Sequence, residues 1–420
     1  MTQMPDPLPF LRQLFDRAVE VADPMRSLRH ALPPRPTGRL VVVGAGKASA
    51  RMAEAVEAEY GPCEGLVITR YGYARPCQGI EIAEAAHPVP DEAGMLATRR
   101  MLALLDGTGP DDFVLALISG GGSALLMAPA GDITLEEKQG LTNALLASGA
   151  PIGTINGIRK QISAVKGGKL AAAAYPSRML ALMISDVPGD DPGDIASGPT
   201  VGDSGDAARA LAALDKWGVT PPTSVRAYLE AGGAPLSPDG ERLSRVENVI
   251  YAAPVQSLEA AAELARAHGI DVRMLGDALE GEAREVAHAQ AKEALNLQAG
   301  MTPEAAPILL LSGGELTVTR TGDGVGGPNA EFALALALAL NGAAGIHAIA
   351  CDTDGVDGAA EVAGAMIGPD TLAKGADAAE ALARNDAHGF FGRIGDQVVT
   401  GPTLTNVNDF RAILITPAKT

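Results

Sequence analysis

The sequence is poor in cysteine and in aromatic side chains. It has three cysteines in 420 residues, and Phe, Tyr and Trp together make up 3% of the chain. Cys63, Cys77 and Cys351 are widely spaced, without a CxxC pair or a pair of histidines beside them. This pattern argues against a disulfide framework and against a zinc site. It indicates a reducing compartment, which we expect to be the cytoplasm.

Long hydrophobic runs are also scarce. The longest, residues 332–351, is broken by Asn341 and Gly342 and interrupted by His347. A buried helix, a turn and a strand explain this run better than a membrane span does. The acidic, amphipathic stretch 1–23 lacks the basic start and apolar centre of a signal peptide. The sequence therefore predicts no membrane partner.

Positive charge is in short supply, with 33 basic residues against 51 acidic ones and a formal net charge of −18. Such a field repels nucleic acid and anionic lipid, so we expect neither as a partner. It also repels an anionic substrate. An anion site in this chain therefore needs local cations, backbone N–H groups or a metal ion.

The length of the chain predicts two domains, since 420 residues exceed what one hydrophobic core usually supports. Short aliphatic runs alternate with Ala-rich helical segments, which is typical of βαβ units. The runs are apolar throughout, as in parallel sheets with both faces covered. We predict an α/β fold of two domains, 1–240 and 241–420, each with a mostly parallel sheet covered by helices. The boundary lies near the Gly- and Pro-rich stretch 231–243. The predicted strands are 40–43, 65–69, 113–118, 179–184, 248–251, 271–274, 307–311 and 347–351, and the clearest helices are 49–60, 257–268 and 280–298.

Two glycine-rich loops follow predicted strands, at 44–49 and at 119–124. Ligands of open α/β sheets bind beyond the C-terminal ends of the strands. Glycines let backbone N–H groups approach a phosphate there, and Lys47 adds a point charge. An ordinary turn is the alternative for each loop. The predicted phosphate-binding residues are Gly44, Gly46, Ser119, Gly120, Gly121, Gly122 and Ser123.

Charged clusters follow two further predicted elements. Asp186, Asp190 and Asp191 crowd together after the strand 179–184, and a divalent cation or a general-base role would relieve their repulsion. Four cations lie within residues 159–169, where they would neutralise a carboxylate or phosphates. A solvated acidic loop and a plain helix face are the respective alternatives.

The second half of the chain has three polar stretches, at 312–315, 352–358 and 400–409. The second resembles half of an EF-hand loop, but Ala363 stands where such a loop has its glutamate, which excludes a calcium hand. In the first half, His87 lies in a distinctive loop that a cis-proline turn explains as well as catalysis does.

These stretches together resemble the glycerate 2-kinase family, whose C-terminal half is the MOFRL domain. Members were long labelled hydroxypyruvate reductases, a label associated with tartrate degradation. The resemblance implies a Rossmann-like N-terminal domain and a MOFRL-type C-terminal domain. It also implies ATP, Mg²⁺ or another divalent cation, and conversion of D-glycerate to 2-phosphoglycerate in a cleft between the domains, with a homodimer left open. The matching segments are 44–49, 86–91, 119–125, 156–170, 185–200, 312–317, 352–358 and 400–409.

Residue roles follow from this resemblance by position. Lys47 matches the family's essential lysine, and Asp186, Glu315, Asp354 and Asn408 match cleft residues implicated in catalysis or substrate binding. The charged clusters and polar stretches described above supply the other members of the predicted site. The predicted catalytic residues are Lys47, Asp186, Glu315 and Asp354; the predicted substrate-binding residues are Asn156, Arg159, Lys160, Asn329, Asn406 and Asn408; and the predicted metal ligands are Asp186, Asp190 and Asp191.

One position departs from the family pattern. Where the family reads Gly-Gly-Arg-Asn-Gln-Glu, residues 326–331 have Pro328 in place of the arginine. Proline supplies neither the charge nor the donors with which arginine would grip a carboxylate or phosphate. Either another cation, such as Arg159 or Lys160, takes over, or substrate and rate differ from the family norm.

Two other functions remain as alternatives. A nicotinamide-dependent hydroxypyruvate reductase is disfavoured because no strand is followed by GxGxxG with an acidic residue about 20 positions further on. The sequence also shows no evident His–acid pair that could protonate the carbonyl of hydroxypyruvate. The second alternative is a ligand-binding homologue that has lost activity, which the missing arginine makes tenable.

Overall fold

The computed structural model describes residues 5–233 and 236–418. Parts of the predicted N-terminal stretch 1–23 and boundary stretch 231–243 therefore lie outside the described residues. The chain forms two compact units. The N-terminal unit comprises Ser27–Ser185 and Asp190–Tyr251, and the C-terminal unit comprises Asp186–Gly189 and the described residues up to Arg26 and from Ala252 onwards. The division between residues 240 and 241 stays a prediction.

The N-terminal unit is built on a six-stranded sheet of order β3-β2-β1-β4-β5-β6. All pairings among β1 to β5 are parallel, which confirms the α/β fold predicted for this half. The strands are β1 Leu40–Ala45, β2 Glu64–Arg70, β3 Ile80–Ala85, β4 Phe113–Ile118, β5 Arg178–Ile184 and β6 Val246–Ala252. The helices of this unit are α3 Ser49–Tyr60, α4 Glu92–Asp106, α5 Gly122–Leu125, α6 Leu135–Ala147, α7 Ile152–Gln161, α8 Lys169–Ala174, α9 Ala207–Lys216 and α10 Thr223–Glu230.

Helices α6, α7, α9 and α10 form a separate apolar cluster in the N-terminal unit. Leu141 and Leu145 of α6 pack in it with Ile155 and Ile158 of α7. Helix α6 begins with a capping box, in which the Thr134 side chain and Glu137 satisfy each other's backbone N–H groups. Packing in this cluster sets the orientation of α6 and α7 and therefore the positions of their basic residues.

The C-terminal unit has a second six-stranded sheet, of order β13-β12-β11-β14-β9-β7. Its strands are β7 Asp271–Gly276, β9 Ile308–Ser312, β11 Ile346–Asp352, β12 Gly364–Ile367, β13 Gln397–Val398 and β14 Asp409–Ile415, and β8 Gly281–Glu282 and β10 Leu316–Thr317 form a separate pair. The helices are α1 Pro7–Ala22, α2 Pro24–Ser27, α11 Pro254–Ala267, α12 Ala283–Ala299, α13 Pro328–Leu340, α14 Thr371–Lys374, α15 Ala378–Ala383 and α16 Ala387–Ile394. Three short 3₁₀ turns, Leu28–His30, Ile195–Ser197 and Glu241–Leu243, complete the described elements.

The expectation of a mostly parallel sheet in this second half is wrong. Among the described strands of the six-stranded sheet, β7 and β9 alone pair in parallel, whereas the pairings of β9, β14, β11, β12 and β13 are antiparallel. Strands β8 and β10 form a separate parallel pair. The prediction relied on apolar runs, and such runs report only that both faces of a sheet are covered. Here α12 and α13 cover one face while α1 and α11 cover the other, so antiparallel strands are equally apolar.

No helix in the described part of the chain combines the length and apolar character that a bilayer crossing requires.

Replacing Leu309 with Ala should lower the free energy of unfolding by about 2–5 kcal/mol, because it leaves a cavity in a packed core. Leu309 is fully buried in β9, between Val272 of β7 and Leu414 of β14. Chemical denaturation measures the change. Leu295→Ala in α12, where the side chain is 37% exposed, is the matched control. A loss as small as that of the control would contradict the assigned core.

Candidate active site

The two glycine-rich loops of the N-terminal unit lie side by side. Strands β1 and β4 are neighbours, and Ala45 at the end of one is in register with Ile118 at the end of the other. The loops that follow start at the same edge of the sheet. A Cβ atom at Gly46 would lie 2.1 Å from the Ser119 hydroxyl oxygen, so only glycine permits this approach.

Hydrogen bonds fasten the first loop to the second. The Lys47 N–H donates to the Gly120 carbonyl at 2.8 Å, and the Ala48 N–H donates to the Ser119 hydroxyl oxygen at 3.1 Å. The Gly46 N–H donates to the Ile68 carbonyl at 3.1 Å. Since these groups are used within the protein, the first loop serves to position the Lys47 side chain. The assignment of Gly46 to phosphate binding stays a prediction, as does that of Gly44, which lies within β1.

The second loop keeps backbone donors available. Gly121 has a left-handed backbone with φ of +78°, and the Gly122 N–H donates to the Ser119 carbonyl at 3.2 Å. Within residues 5–233 and 236–418, the N–H groups of Gly120, Gly121 and Ser123 form no hydrogen bond. Successive N–H groups around a left-handed residue make a concave anion site. The arrangement therefore suits a phosphate.

Lys47 and His87 flank this second loop. A Cβ atom at Gly121 would lie 3.1 Å from His87 Nε2 and 3.1 Å from Lys47 Cγ. The structure thus brings the predicted catalytic lysine, the predicted phosphate loop and the distinctive histidine together. The His87–Pro88 peptide bond is cis.

The predicted substrate-binding residues of α7 divide into two groups. Arg159 Nη2 donates to the Ser123 carbonyl at 3.4 Å and its Nη1 donates to Asn156 Oδ1 at 3.4 Å, so both residues lie near the second loop. Lys160 is buried and pairs with Asp203 at 2.9 Å. Its charge is neutralised within the unit, and its role in substrate binding stays a prediction.

Two residues near Ser123, Ser197 and Lys166, are not among the predicted site residues. The Ser123 and Ser197 hydroxyl oxygens lie 2.6 Å apart, and Lys166 Nζ donates to the Ser123 carbonyl at 2.7 Å. In the sequence, Lys166 is only one of the four cations within residues 159–169. Ser197 lies in a stretch that resembles the family, and nothing in the chain's local pattern distinguishes it from other loop serines.

The acidic loop after β5 does not assemble a complete metal site from protein groups. Among the described residues, no three His, Cys, Asp or Glu side chains stand close enough to hold a metal ion. Asp191 is exposed, and its Oδ1 accepts from the Gly193 N–H at 2.8 Å. The buried Oδ1 of Asp190 has no hydrogen-bond partner in the described part of the chain. Asp190 therefore offers a free carboxylate oxygen.

In the C-terminal unit, Asp186 is held by the polar stretch that precedes β14. Asn406 Nδ2 donates to the Asp186 carboxylate at 2.9 Å, and Asn408 Nδ2 donates to the Asp186 backbone carbonyl at 3.1 Å. Three predicted site residues from distant parts of the sequence thus form one cluster. Asn408 has φ of +67°, a conformation that asparagine tolerates better than most residues.

Asp354 is fully buried beside this cluster, at the end of β11. Antiparallel pairing of Asp352 with Asp409 brings the 352–358 loop against residues 400–408. The Thr353 hydroxyl donates to the Asn408 carbonyl at 2.6 Å, and the Asp354 carboxylate accepts from the Val356 N–H at 2.7 Å. The geometry gives Asp354 a part in shaping this loop.

A buried pair, Asp409 and Arg411, lies behind the loop and was not predicted. Arg411 Nη1 donates to the Asp409 carboxylate at 2.8 Å. Burial raises the pKa of Asp409 above its ordinary value, and the Asp357 and Glu315 carboxylates act in the same direction, against Arg411. Glu315 is exposed, and its charge raises the pKa of Asp409. Glu315 therefore lies near the Asp409–Arg411 pair.

Asn329 is 1% exposed and takes part in the cap of α13. Its N–H and that of Ala330 donate to the two carboxylate oxygens of Asp357 at 2.9 and 2.8 Å, and its Nδ2 donates to Asp409 at 2.7 Å. Pro328 is the first residue of the helix, where its fixed φ is favourable. The position that departs from the family therefore costs the helix nothing.

Comparison with known proteins places these observations in a family. Residues 10–230 match a family described as a domain of unknown function, DUF4147, and residues 308–409 match the MOFRL family. A D-glycerate 2-kinase of Thermotoga maritima is 38% identical over 94% of this chain and 95% of its own length. A protein of Agrobacterium vitis named putative hydroxypyruvate reductase is 52% identical over 96% of this chain and 94% of its own.

The fold agrees with that of a solved relative. The crystal structure of a glycerate kinase from Thermotoga maritima has a TM-score of 0.87 at 36% identity, and the match covers 97% of this chain and 99% of that one. The two family matches and the similarity over nearly the whole chain lead to the same assignment. The chain belongs to the glycerate kinase family with a C-terminal MOFRL domain.

Proposed function

We propose that the chain transfers the γ-phosphoryl group of ATP to D-glycerate and forms 2-phosphoglycerate. The observation that carries this proposal is the loop with the unpaired N–H groups of Gly120, Gly121 and Ser123, which lies directly against Lys47. Phosphoryl transfer relies mainly on positioning and on stabilisation of charge. A set of fixed donors beside a lysine supplies both.

The proposed roles follow from the geometry of each unit. The second loop would bind nonbridging phosphate oxygens, and the Lys47 ammonium would stabilise charge on the transferred group. Asp186 is half-buried and is oriented by Asn406, so it is the candidate acceptor of the glycerate hydroxyl proton. Glu315 would contribute negative charge near Asp409, and Asp354 would maintain the shape of the 352–358 loop.

We further propose that the reaction uses Mg²⁺ or another divalent cation. Mg²⁺ binds through one or two carboxylates together with substrate phosphates, so a cage of three protein ligands is not required. Asp190, with its free carboxylate oxygen, fits this need, and Asp191 and Asp186 are the further candidate ligands. Such a cation supplies charge neutralisation at the phosphates when it is bound.

We also propose that the protein is located in the cytoplasm and forms a homodimer. The three cysteines of the described chain are free thiols, which suits a reducing compartment. The homodimer stays a prediction, and sedimentation would test it.

A hydroxypyruvate reductase is the second candidate, because the Agrobacterium vitis relatives carry that name. The GxGxxG match of the sequence, residues 322–327, does not directly follow a strand of either six-stranded sheet, as the loop of a nicotinamide-binding βαβ unit does. A homologue that binds glycerate without turnover is the third candidate, on account of Pro328.

Product analysis separates these candidates. With D-glycerate, ATP and magnesium, mass spectrometry should detect 2-phosphoglycerate, and EDTA should abolish its formation until magnesium is restored. Consumption of NADH with hydroxypyruvate, in the absence of phosphorylated product, would support the reductase instead. Absence of both reactions, with measurable glycerate binding, would support the homologue without turnover. Full kinase activity after exhaustive chelation would refute the proposal that the reaction uses a divalent cation.

Replacing Gly121 with Val should weaken ATP binding at least tenfold. The new side chain would occupy the space between His87 and Lys47 and would strain a backbone at φ of +78°. Calorimetry measures the affinity, and circular dichroism checks that the variant is folded. Gly140→Val is the control, because a Cβ there meets nothing within 4 Å. Equal ATP affinity in a folded Gly121 variant would argue against a phosphate at this loop.

Replacing Lys47 with Ala should lower kcat by roughly 10²–10³ without raising KM for ATP, if its charge acts only in the transition state. Lys47→Arg should restore little, because a planar guanidinium places its charge differently. Steady-state kinetics measures both variants, with the exposed Lys292→Ala as control. A kcat near that of the wild type would reduce Lys47 to a packing role.

A further inference from the structure

Five basic residues cluster in the N-terminal unit. Lys138 lies on α6, and Arg159 and Lys160 lie on α7. Lys166 precedes α8, and Lys169 is the first residue of that helix. The charges of Arg159 and Lys169 act on Lys138, and those of Arg159, Lys138 and Lys160 act on Lys166. These side chains therefore lie within electrostatic range of one another, in a chain whose overall charge is strongly negative.

Negative charge is missing from most of this cluster. Lys160 has its carboxylate partner in Asp203. Across residues 5–233 and 236–418, no carboxylate pairs with Lys138, Arg159, Lys166 or Lys169. Lys138 Nζ is buried in the described chain without any hydrogen-bond partner, and its side chain is 1% exposed.

The remaining ammonium groups of the cluster meet neutral oxygen atoms only. Lys166 Nζ donates to the Ser123 carbonyl at 2.7 Å, and Lys169 Nζ donates to the Ser163 carbonyl. A carbonyl accepts a hydrogen bond but does not balance a full charge. The cluster as a whole is therefore short of a counter-charge.

Burial and mutual repulsion both act on these ammonium groups. Desolvation lowers the pKa of Lys138 to about 7, and the charges of Arg159 and Lys169 add to the effect. Desolvation likewise lowers the pKa of Lys169 to about 8, and it lowers the pKa of Lys166 well below its ordinary value. An oxyanion among these groups would favour their charged forms and raise each pKa again.

The cluster adjoins the second glycine-rich loop. The Ser123 carbonyl, which accepts from Lys166, also accepts from Arg159 Nη2 at 3.4 Å. Ser123 is itself one of the loop residues whose N–H groups are unpaired. The cations are thus placed where a substrate anion would arrive.

We propose that Lys138, Arg159, Lys166 and Lys169 form a binding site for an oxyanion group of a substrate, in which Lys138 supplies a charge that its own unit leaves unbalanced. The proposal extends the proposed function and rests on it for the identity of the ligand. A nucleotide phosphate and the carboxylate of the hydroxy acid share the required chemistry.

The test compares Lys138→Met with the wild type by calorimetry. Methionine keeps the length of the side chain and removes its charge. The ligands, titrated separately so that no turnover occurs, are inorganic phosphate, ADP with magnesium, and D-glycerate. At least one should bind tenfold or more weakly to the variant. Loss for ADP and phosphate identifies the nucleotide as the source of the anion, and loss for D-glycerate alone identifies the carboxylate.

The control is Lys292→Met, an exposed lysine of α12 in the other unit, which should leave all three affinities unchanged. Wild-type affinity of Lys138→Met for all three ligands would overturn the proposal. These readouts are equilibrium binding, so they stand even if product analysis shows that the chain is not a glycerate kinase.

A second measurement uses the wild type and does not depend on the folding of a variant. At pH 8 the binding of the oxyanion should be accompanied by proton uptake, because Lys138, with its pKa of about 7, is then mostly neutral. The charged groups that face it, Arg159, Lys166 and Lys169, are all basic. Titration in two buffers of different ionisation enthalpy measures the uptake. Binding without proton uptake would overturn the proposal.

Discussion

The close approach of β1 and β4 at Gly46 and Ser119 is the contact on which the N-terminal site depends. Without a side chain at Gly46, the Ser119 hydroxyl can lie under the first loop and accept from the Ala48 N–H. The Lys47 N–H then reaches the Gly120 carbonyl. These bonds use the donors of the first loop and leave those of the second loop free. One glycine thus determines in which of two similar loops the N–H groups stay unpaired.

Much of the fold could be predicted from local pattern. Each of the eight predicted strands corresponds to an observed one, and helix α3 has the predicted bounds, Ser49–Tyr60. The pairing direction of the second sheet could not be predicted, because burial on both faces removes the alternation that marks many antiparallel strands. Strand β14 was missed as well. Arg411 stands within it, and the Asp409 carboxylate and the Gly313 carbonyl, which accept from its guanidinium, make that charge compatible with a sheet interior.

The candidate site was predictable where chemistry leaves a local mark. Runs of glycine and crowded acids are such marks, and the structure brings Lys47 to the second loop and Asn406 and Asn408 to Asp186. Lys138 left none. In sequence it is one charged residue on a mixed helix, indistinguishable from a solvated lysine, and only tertiary packing shows that it is buried without a partner. Partners distant in sequence decide the charge state of such groups.

The cap of α13 limits which residues of this chain can change without loss of stability. Both carboxylate oxygens of Asp357 bind the first turn of a helix that is buried on almost every side. The loop that carries Asp354 is therefore tied to the folding core, and a substitution at Asp357 would lower stability before it could alter selectivity. Evolution of new specificity would be expected to proceed through exposed neighbours such as Glu315, where the core is not at risk. Directed libraries would best be focused on the same positions.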